Sequence, residues 1–277
     1  ADLMPRQKSQ MNFIVEKAIM IAGRYGFQSM ETPIFEFTEV FSRPLGESSD
    51  VVAKETYSFE DRGGTSLTLR PEGTASVMRA LISNGLTQTL PQKFFYSGPM
   101  FRYERPQKGR MRQFHQIGCE FIGTFEPLAD AEVISCAANL LLELGILDKC
   151  KLYLNSLGDA ESRDKYRSVL IAYLKDYSAS LSKDSQRRLA LNPLRILDSK
   201  AIEDKEIINN APKLNEFLTV NSKEHFNRVT HALEKSAINW QLDTKLVRGL
   251  DYYSHTAFEF VTDALGSQGT VIGGGRY

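Results

Sequence analysis

The chain has 277 residues, in which 34 lysines and arginines balance 34 aspartates and glutamates, and 42 % of the residues are hydrophobic. A net charge of zero argues against a protein that coats nucleic acid through charge alone, so any binding of phosphate must be local. The length is enough for one large domain or two smaller ones.

Metal and membrane signatures are missing from the sequence. The three cysteines form no CxxC pair, and the four histidines are scattered without an HExxH motif, so we predict no metal site. The longest apolar run starts at Ile134 and is broken by Asn139 and Glu143, which makes it too short to cross a bilayer. The first residues do not have the pattern of a signal peptide, so we expect none. We therefore expect a cytoplasmic protein with no membrane partner.

The first 90 residues predict alternating helix and strand. Apolar residues from Met11 to Tyr25 follow helical spacing, and Gly26 is placed to end that helix. A strand is expected from Phe27, with a stop at Pro33 and a short edge segment after it. The stretch "TYSFEDRGGTSLTLRPEG" predicts a hairpin that turns at "DRGG", and a helix should follow from Thr74.

The next 70 residues predict a second, longer hairpin. Its strands are "KFFYSGPMFRYE" and "RQFHQIGCEFIG", joined by the polar loop "RPQKGRM". A long amphipathic helix, "PLADAEVISCAANLLLELGI", and the strand "CKLYLNSLG" come after it. Residues 160–239 show a helical pattern throughout, and strand texture returns in "TKLVRGLDYYSHTAFEFVT" and "GTVIGGGRY".

These elements predict an α+β fold, in which an antiparallel sheet is flanked by helices and interrupted by a helical insertion. We expect residues 1–159 and 240–277 to form the core domain and residues 160–239 to form the insertion. A parallel α/β fold would need regular strand–helix alternation, which the sequence lacks. Because Tyr277 follows three glycines with no later segment to pack on them, we expect the chain to be a fragment.

The long hairpin concentrates fixed cations. Successive strand residues point to opposite faces, so Arg102 and Glu104 should share one face. Across the loop one face should carry Arg110, Arg112, Phe114, Gln116 and Glu120. A solvated sheet face often mixes charges of both signs, and that remains an alternative. Guanidinium groups, however, bind phosphate oxygens in pairs and keep their charge when desolvated.

The hairpin resembles motif 2 of the class II aminoacyl-tRNA synthetases, which reads aromatic–Arg–x–Glu, a variable loop and then Arg–x–x–x–Phe. Here these residues are 101–104 and 110–114. "RYGFQSMETPIFE" resembles motif 1, the dimer-forming segment of the class. "LRPEGT", the long hairpin, "LVRGLDYYSHTAFEF" and "GGGRY" together resemble the histidyl-tRNA synthetase family over essentially the whole chain.

The resemblance implies an enzyme that activates L-histidine with ATP and passes the histidyl group to tRNA(His). It implies a homodimer and Mg²⁺ that bridges the ATP phosphates. By this resemblance Arg102 and Arg248 are catalytic and approach the α-phosphate from opposite sides. The implied ATP site comprises Arg102, Glu104, Arg110, Arg112 and Phe114. The implied histidine site comprises Glu72, Gly73, Thr74, Gln116, Glu120, Arg248, Tyr252, Tyr253 and Tyr277.

Within that site, Glu72, Thr74 and Gln116 would take the ammonium group and Glu120 an imidazole N–H. Since neighbouring strand residues face opposite ways, we expect only one of Tyr252 and Tyr253 to line the site. The same physics supports the arginines, because joining a carboxylate to a phosphate brings two anions together.

Three alternatives remain open. "RPEGT" also fits a turn that caps a helix, and Arg248 could pair with Asp251. The chain could also be an inert paralogue that binds histidine or tRNA as a regulator, like the regulatory subunit of ATP phosphoribosyltransferase, although such a relative has no need of Arg102, Arg110 and Arg248. Members of the family continue into a third motif and an anticodon-binding domain, so these 277 residues alone should charge tRNA weakly or not at all.

Overall fold

The computed structural model describes residues 2–45, 55–104, 110–248 and 252–277, except for the side chains of Leu45 and residues 266–268. Most of the loop "RPQKGRM" and Asp251 therefore lie outside the described residues. The chain divides into two compact units. Unit 1 comprises residues 1–150 and 263–269, and unit 2 comprises residues 151–262 and 270–277.

Unit 1 contains two three-stranded sheets and four helices among its described residues. Its elements are α1 (Pro5–Arg24), β1 (Gln28–Ser29), β2 (Phe35–Phe37), α2 (Glu39–Leu45), β3 (Tyr57–Glu60), β4 (Ser66–Leu69), α3 (Thr74–Ser83), β5 (Gln92–Phe101), β6 (Gln113–Ile122) and α4 (Pro127–Glu143). The strand orders are β1-β5-β6 and β2-β4-β3. Helix α1 ends as predicted, because Gly26 adopts a φ of 78°, which suits glycine at a helix C-terminus.

The β5–β6 hairpin forms the centre of unit 1 and has helices on both faces. Phe95 packs with Ala18 of α1 and Cys136 of α4. On the other face Phe94 and Met100 pack with Val77 of α3. In the hairpin register, Met100 lies opposite Phe114, and Phe94 lies opposite Glu120. The side chains of Phe114, Gln116 and Glu120 therefore point to the face that α3 covers. This confirms the predicted face alternation of the second strand of the hairpin.

Unit 2 contains the second large sheet and the helical segment. Its elements are β7 (Lys151–Ser156), α5 (Ala160–Asp176), α6 (Lys183–Leu191), α7 (Ile202–Asn209), α8 (Val220–Lys235), β8 (Gln241–Leu242), β9 (Ser254–Val261) and β10 (Thr270–Arg276). The strand order is β10-β9-β7-β8. Tyr166, Leu170 and Leu174 of α5 are buried in one core with Ala257 of β9, so the helices and this sheet share apolar surface. Leu246, which precedes β9, belongs to the same core.

A buried carboxylate connects two helices of the helical segment. Asp204, which is fully buried, accepts hydrogen bonds from the Ser182 N–H at 2.8 Å and from the hydroxyls of Ser182, Ser185 and Ser199. Burial favours the neutral acid, but these hydrogen bonds favour the anion and lower the pKa of Asp204. Asp204 thus ties the start of α6 to α7.

The predicted α+β class is confirmed, and long antiparallel pairs dominate the described sheets. Parallel pairing is limited there to the two-residue contacts β1–β5 and β7–β8. The predicted strand segment "TKLVRGLDYYSHTAFEFVT" is confirmed over β9, but its first part, residues 244–248, is not a strand. The Lys245 N–H bonds the Asp243 carboxylate at 2.9 Å and the Leu246 N–H bonds the Asp243 carbonyl at 3.0 Å, which closes a turn instead. The division into domains at residues 160 and 239 stays a prediction.

No helix in the described part of the chain is both long enough and apolar enough to cross a membrane.

Candidate functional site

Arg102 lies just past the end of β5 and reaches back toward the "RPEGT" turn. Its backbone N–H bonds the Arg112 carbonyl at 2.9 Å, which extends the hairpin ladder beyond the strands. Its Nε donates to the Pro71 carbonyl at 2.8 Å. The guanidinium carbon is 5.3 Å from the centre of the Phe114 ring. Arg102 and Phe114, predicted for one nucleotide site, are therefore neighbours.

The other charged residues at this end of the hairpin also lie close to partners. Arg110 forms an ion pair with Glu104, in which Nη1 and Oε2 are 3.2 Å apart. The Arg112 guanidinium carbon lies 4.7 Å from the centre of the Tyr103 ring. The Arg110 side chain is 42 % exposed, so it can turn toward a ligand at little cost in lost contacts.

Glu72 lies two residues before helix α3 and caps its first turn. The N–H groups of Thr74 and Ala75 donate to its two carboxylate oxygens at 2.7 and 2.9 Å. These bonds satisfy two of the N–H groups that every helix leaves free at its first turn. Burial raises the pKa of Glu72, and the two N–H bonds and the positive charge of Arg102 act against that rise. The alternative interpretation of "RPEGT" as a turn and helix cap is therefore confirmed, and it does not compete with ligand binding, since a carboxylate accepts about four hydrogen bonds.

Thr74 connects Glu72 to Glu120. The Thr74 hydroxyl donates to Glu120 Oε1 at 2.8 Å, and Glu120 is 94 % buried on β6. On the same face of β6, the side-chain oxygen of Gln116 is buried and accepts no hydrogen bond from any described residue. A buried acceptor without a donor is costly, and a bound ammonium or N–H group would supply one.

Gly73 and Gly118 make room for one tyrosine ring. A Cβ atom at Gly73 would lie 2.2 Å from Cε2 of Tyr96, and a Cβ at Gly118 would lie 2.2 Å from Cζ of the same ring. Tyr96 is buried on β5 opposite Gly118. Gly73 was predicted for histidine binding, and its packing against Tyr96 gives a structural reason for a glycine there. Tyr96 itself was missed, since no motif of the sequence marks it.

In unit 2, Arg248 is held by its neighbours. Its Nη1 donates to Oε1 of Glu259 on β9 in a charged pair. Its guanidinium carbon lies 5.5 Å from the centre of the Tyr253 ring. Arg248 and Tyr253 line a cleft of about 290 Å³ whose other walls come from α5 and from a 3₁₀ helix at Pro193–Asp198. Asp251, the predicted partner of Arg248, lies outside the described residues, and Glu259 was not predicted.

Three predicted tyrosines form one aromatic cluster in unit 2. The rings of Tyr252 and Tyr253 are 4.7 Å apart, and those of Tyr252 and Tyr277 are 5.4 Å apart. The prediction that Tyr252 and Tyr253 face opposite ways is wrong, because β9 begins only at Ser254 and the two residues precede the strand.

The predicted site residues thus form two groups, one in each unit. Unit 1 brings together Glu72, Gly73, Thr74, Arg102, Glu104, Arg110, Arg112, Phe114, Gln116 and Glu120, and unit 2 brings together Arg248, Tyr252, Tyr253 and Tyr277. That both groups serve one ligand stays a prediction. Among the described residues there is no cluster of three or more His, Cys, Asp or Glu side chains that could hold a metal ion.

Comparisons with known proteins are consistent with the motifs. A family model described as "Histidyl-tRNA synthetase" matches residues 1–277. Proteins named histidine–tRNA ligase from Gluconacetobacter diazotrophicus and Rhodospirillum rubrum are 58 % and 55 % identical over 276 residues. The alignments cover 100 % of this chain and 66 % of each relative, so the chain spans slightly less than two thirds of their length.

Solved structures give the same fold. An apo histidyl-tRNA synthetase from S. aureus aligns with a TM-score of 0.79 and 35 % identity over 100 % of this chain and 64 % of that one. A structure titled as an ATP phosphoribosyltransferase regulatory subunit/histidyl-tRNA synthetase from Bacillus halodurans aligns with a TM-score of 0.71 and 22 % identity over 100 % of this chain and 74 % of that one, which supports the fold alone. The predicted class II synthetase fold is confirmed.

Proposed function

Because the chain belongs to the histidyl-tRNA synthetase family, we propose that the protein activates L-histidine with ATP and transfers it to tRNA(His). In the first step a histidine carboxylate oxygen attacks the α-phosphorus of ATP, which forms histidyl-adenylate and releases pyrophosphate. In the second, a ribose hydroxyl at the 3′ end of the tRNA attacks the carbonyl carbon, and AMP leaves. The observation that supports this most is the linked set Glu72–Thr74–Glu120, with the Gln116 oxygen, which has no donor among the described residues, on the same face of β6 as Glu120.

Formation of histidyl-adenylate requires neutralisation of the negative charges of ATP and the histidine carboxylate more than it requires proton transfer. Both reactants are anions, and the carboxylate is already a nucleophile at neutral pH. Fixed cations that meet the developing charge lower the barrier without reorganising. We assign this role to Arg102, which its bond to Pro71 and its contact with Phe114 already orient. Arg248, held by Glu259, takes the same role in its own unit.

The other ATP contacts follow from the hairpin. Phe114 presents an aromatic ring next to Arg102, which suits stacking on adenine, and Glu104 is assigned to the adenine amino edge. Arg110 and Arg112 are assigned to the outer phosphates. Mg²⁺ would enter the proposal together with ATP and would reduce the charge of its phosphates, and we assign no residue to hold it.

Histidine recognition is assigned to the buried polar residues. The Gln116 oxygen and Glu72 would accept hydrogen bonds from the ammonium group, and Glu120 would accept one from the imidazole. Discrimination between amino acids falls to Glu120, because the ammonium group is common to all of them, whereas an apolar side chain would offer Glu120 no N–H donor. Tyr252, Tyr253 and Tyr277 are assigned to the imidazole side as a cluster, and Gly73 is assigned to backbone spacing.

A homodimer is part of the proposal, and the β2-β4-β3 sheet supports it. Its polar face is covered, where Glu36 is buried against Arg79 of α3 at 2.6 Å and Thr68 is fully buried. Its opposite face carries Phe37 and Phe59, which both lie beside Leu67 and are 62 % and 45 % exposed. An aromatic sheet face open to solvent is typical of an interaction surface. A cytoplasmic location completes the proposal.

The direct test is histidine-dependent exchange between ATP and labelled pyrophosphate, measured on the full-length protein with each protein amino acid in turn. We expect exchange with histidine alone, followed by formation of histidyl-tRNA when tRNA(His) is added. An absence of exchange, or faster exchange with a different amino acid, would refute the proposed activity.

A further inference from the structure

Arg248 is fixed by a carboxylate that is itself fixed. Its Nη1 donates to Oε1 of Glu259, and the second carboxylate oxygen, Oε2, accepts a hydrogen bond from the Thr270 hydroxyl at 2.9 Å. Glu259 lies on β9 and Thr270 begins β10, which pair antiparallel. The side chain of Glu259 therefore connects Arg248 to two neighbouring strands, β9 and β10.

Strand β10 also limits where the guanidinium group can lie. Gly273 is the register partner of Glu259, and a Cβ atom there would lie 2.8 Å from Nη1 and 3.1 Å from Nη2 of Arg248. The guanidinium group thus rests on bare backbone. The Tyr253 ring, 5.5 Å from the guanidinium carbon, provides a further contact. Three neighbours restrict the group, so its orientation is set before any ligand arrives.

A buried hydrogen-bond donor of Arg248 lacks an acceptor in the described part of the chain. Its Nε is buried and has no hydrogen-bond partner among the described residues. If the Arg248–Glu259 pair only stabilised the fold, an acceptor for the Nε–H group would increase that stability, because a desolvated N–H without an acceptor is unfavourable. An arginine held on one edge by a carboxylate, with an unsatisfied N–H, is instead suited to receive an oxygen of a ligand.

We propose that Glu259 is a positioning residue for Arg248, and that Thr270 supports it by fixing the second carboxylate oxygen. Glu259 contacts no reactant in this proposal. It restricts the Arg248 side chain to one orientation, so that the guanidinium group loses no further conformational freedom when it binds the α-phosphate. The inference rests on the phosphate-binding role proposed for Arg248. A displacement of about 1 Å in such a group costs roughly 10²-fold in rate.

The test compares variants of the full-length protein in histidine-dependent ATP–pyrophosphate exchange. Glu259→Ala should lower kcat by roughly 10–100-fold and leave the KM for histidine nearly unchanged, because only the phosphate contact loses its orientation. Glu259→Gln, which keeps an acceptor oxygen of the same shape, should restore part of the rate. Thr270→Val removes one hydrogen bond and no charge, so it should give a smaller loss and provides a readout if Glu259→Ala folds poorly.

A double-variant comparison isolates the coupling. If Glu259 acts through Arg248, the Glu259→Ala/Arg248→Ala double variant should be no slower than Arg248→Ala alone. Asp204→Asn is the matched control, since it removes a buried carboxylate from the same unit far along the chain from β9 and β10. It should lower thermal stability and leave kcat unchanged at a temperature where the protein is folded.

Three results would overturn the inference. The first is a Glu259→Ala variant that loses stability but keeps the wild-type kcat per folded molecule, as a purely structural pair would. The second is a double variant whose losses multiply, because Glu259 would then act independently of Arg248. The third is a wild-type protein with no exchange, which refutes the proposed function itself and is recognised because it appears before any substitution is made.

Discussion

The sharpest structural prediction concerns Gly118, which lies between Gln116 and Glu120 on β6. In Gly118→Ala the new methyl carbon would lie 2.2 Å from Cζ of Tyr96, whereas ordinary van der Waals contact begins near 3.4 Å. The Tyr96 ring would have to retreat by about 1 Å. It is only 6 % exposed, and Gly73 closes the space near its other edge, so the ring has little room to move.

Overpacking of this kind costs typically about 1–3 kcal/mol, and the short approach to a confined ring places Gly118→Ala toward the upper end, at about 3 kcal/mol. Urea unfolding measures the loss. The backbone of Gly118 has no positive φ, so alanine adds no backbone strain there. The Tyr96 ring touches Gly73, next to Thr74, and Gly118, two residues before Glu120. Because Thr74 and Glu120 are assigned to the histidine site, displacement of the ring should also raise the KM for histidine.

Two comparisons make the explanation refutable. In a Tyr96→Ala background the ring is gone, so Gly118→Ala should cost less than about 1 kcal/mol, and the two substitutions should be strongly non-additive. Gly23 of α1 has open space and no positive φ, so Gly23→Ala should stabilise by about 0.5–1 kcal/mol. Equal losses for Gly118→Ala in both backgrounds would show that contact with Tyr96 is not the cause.

The remaining predictions address charge, ligand binding and assembly. Asp204→Asn should lower the free energy of unfolding by about 2–3 kcal/mol at pH 7. Because the folded pKa of Asp204 is lowered, the extra stability of the wild type is complete above the unfolded pKa of about 3.9 and is lost as the pH falls through the folded pKa. A gap between wild type and variant that does not narrow in urea titrations below about pH 3.9 would contradict this. Arg102→Ala should slow ATP–pyrophosphate exchange by roughly 10²–10³-fold, and a wild-type rate would remove its assigned role. Glu120→Gln should weaken histidine binding by roughly 10–100-fold in calorimetry, and unchanged affinity would disprove its contact with the ligand. Phe37→Glu should shift sedimentation profiles toward a monomer, whereas Ile202→Glu, at an exposed position in unit 2, should not. Equal behaviour of the two would exclude the aromatic face as the dimer surface.

Elements governed by local periodicity could be predicted from the sequence. The end of α1 at Gly26, the hairpin around "DRGG" and the helical pattern of residues 160–239 depend on neighbouring residues alone. The face alternation of β6 was predictable for the same reason, because side chains on a strand repeat every two residues.

Features that depend on particular side-chain contacts, and not on periodicity, could not be predicted. Arg248 contacts Glu259 of β9, which is 11 residues further along the chain, and no spacing rule connects the two. "TKLVR" has the alternation of a strand, yet the Asp243 carboxylate binds the Lys245 N–H and forms a turn. Competition between local hydrogen bonds and sheet pairing decided that segment, and periodicity carries no information about it.

The capping role of Glu72 has a consequence for attempts to redesign the amino-acid preference of this scaffold. A substitution at Glu72 would remove two acceptors from the first turn of α3 as well as any ligand contact, so loss of folding and loss of recognition would arrive together. The side-chain oxygen of Gln116 accepts no hydrogen bond from any described residue, so a substitution there removes no such helix-capping contact. Libraries that vary residue 116 and retain glutamate at 72 should therefore yield more folded members than libraries that vary both.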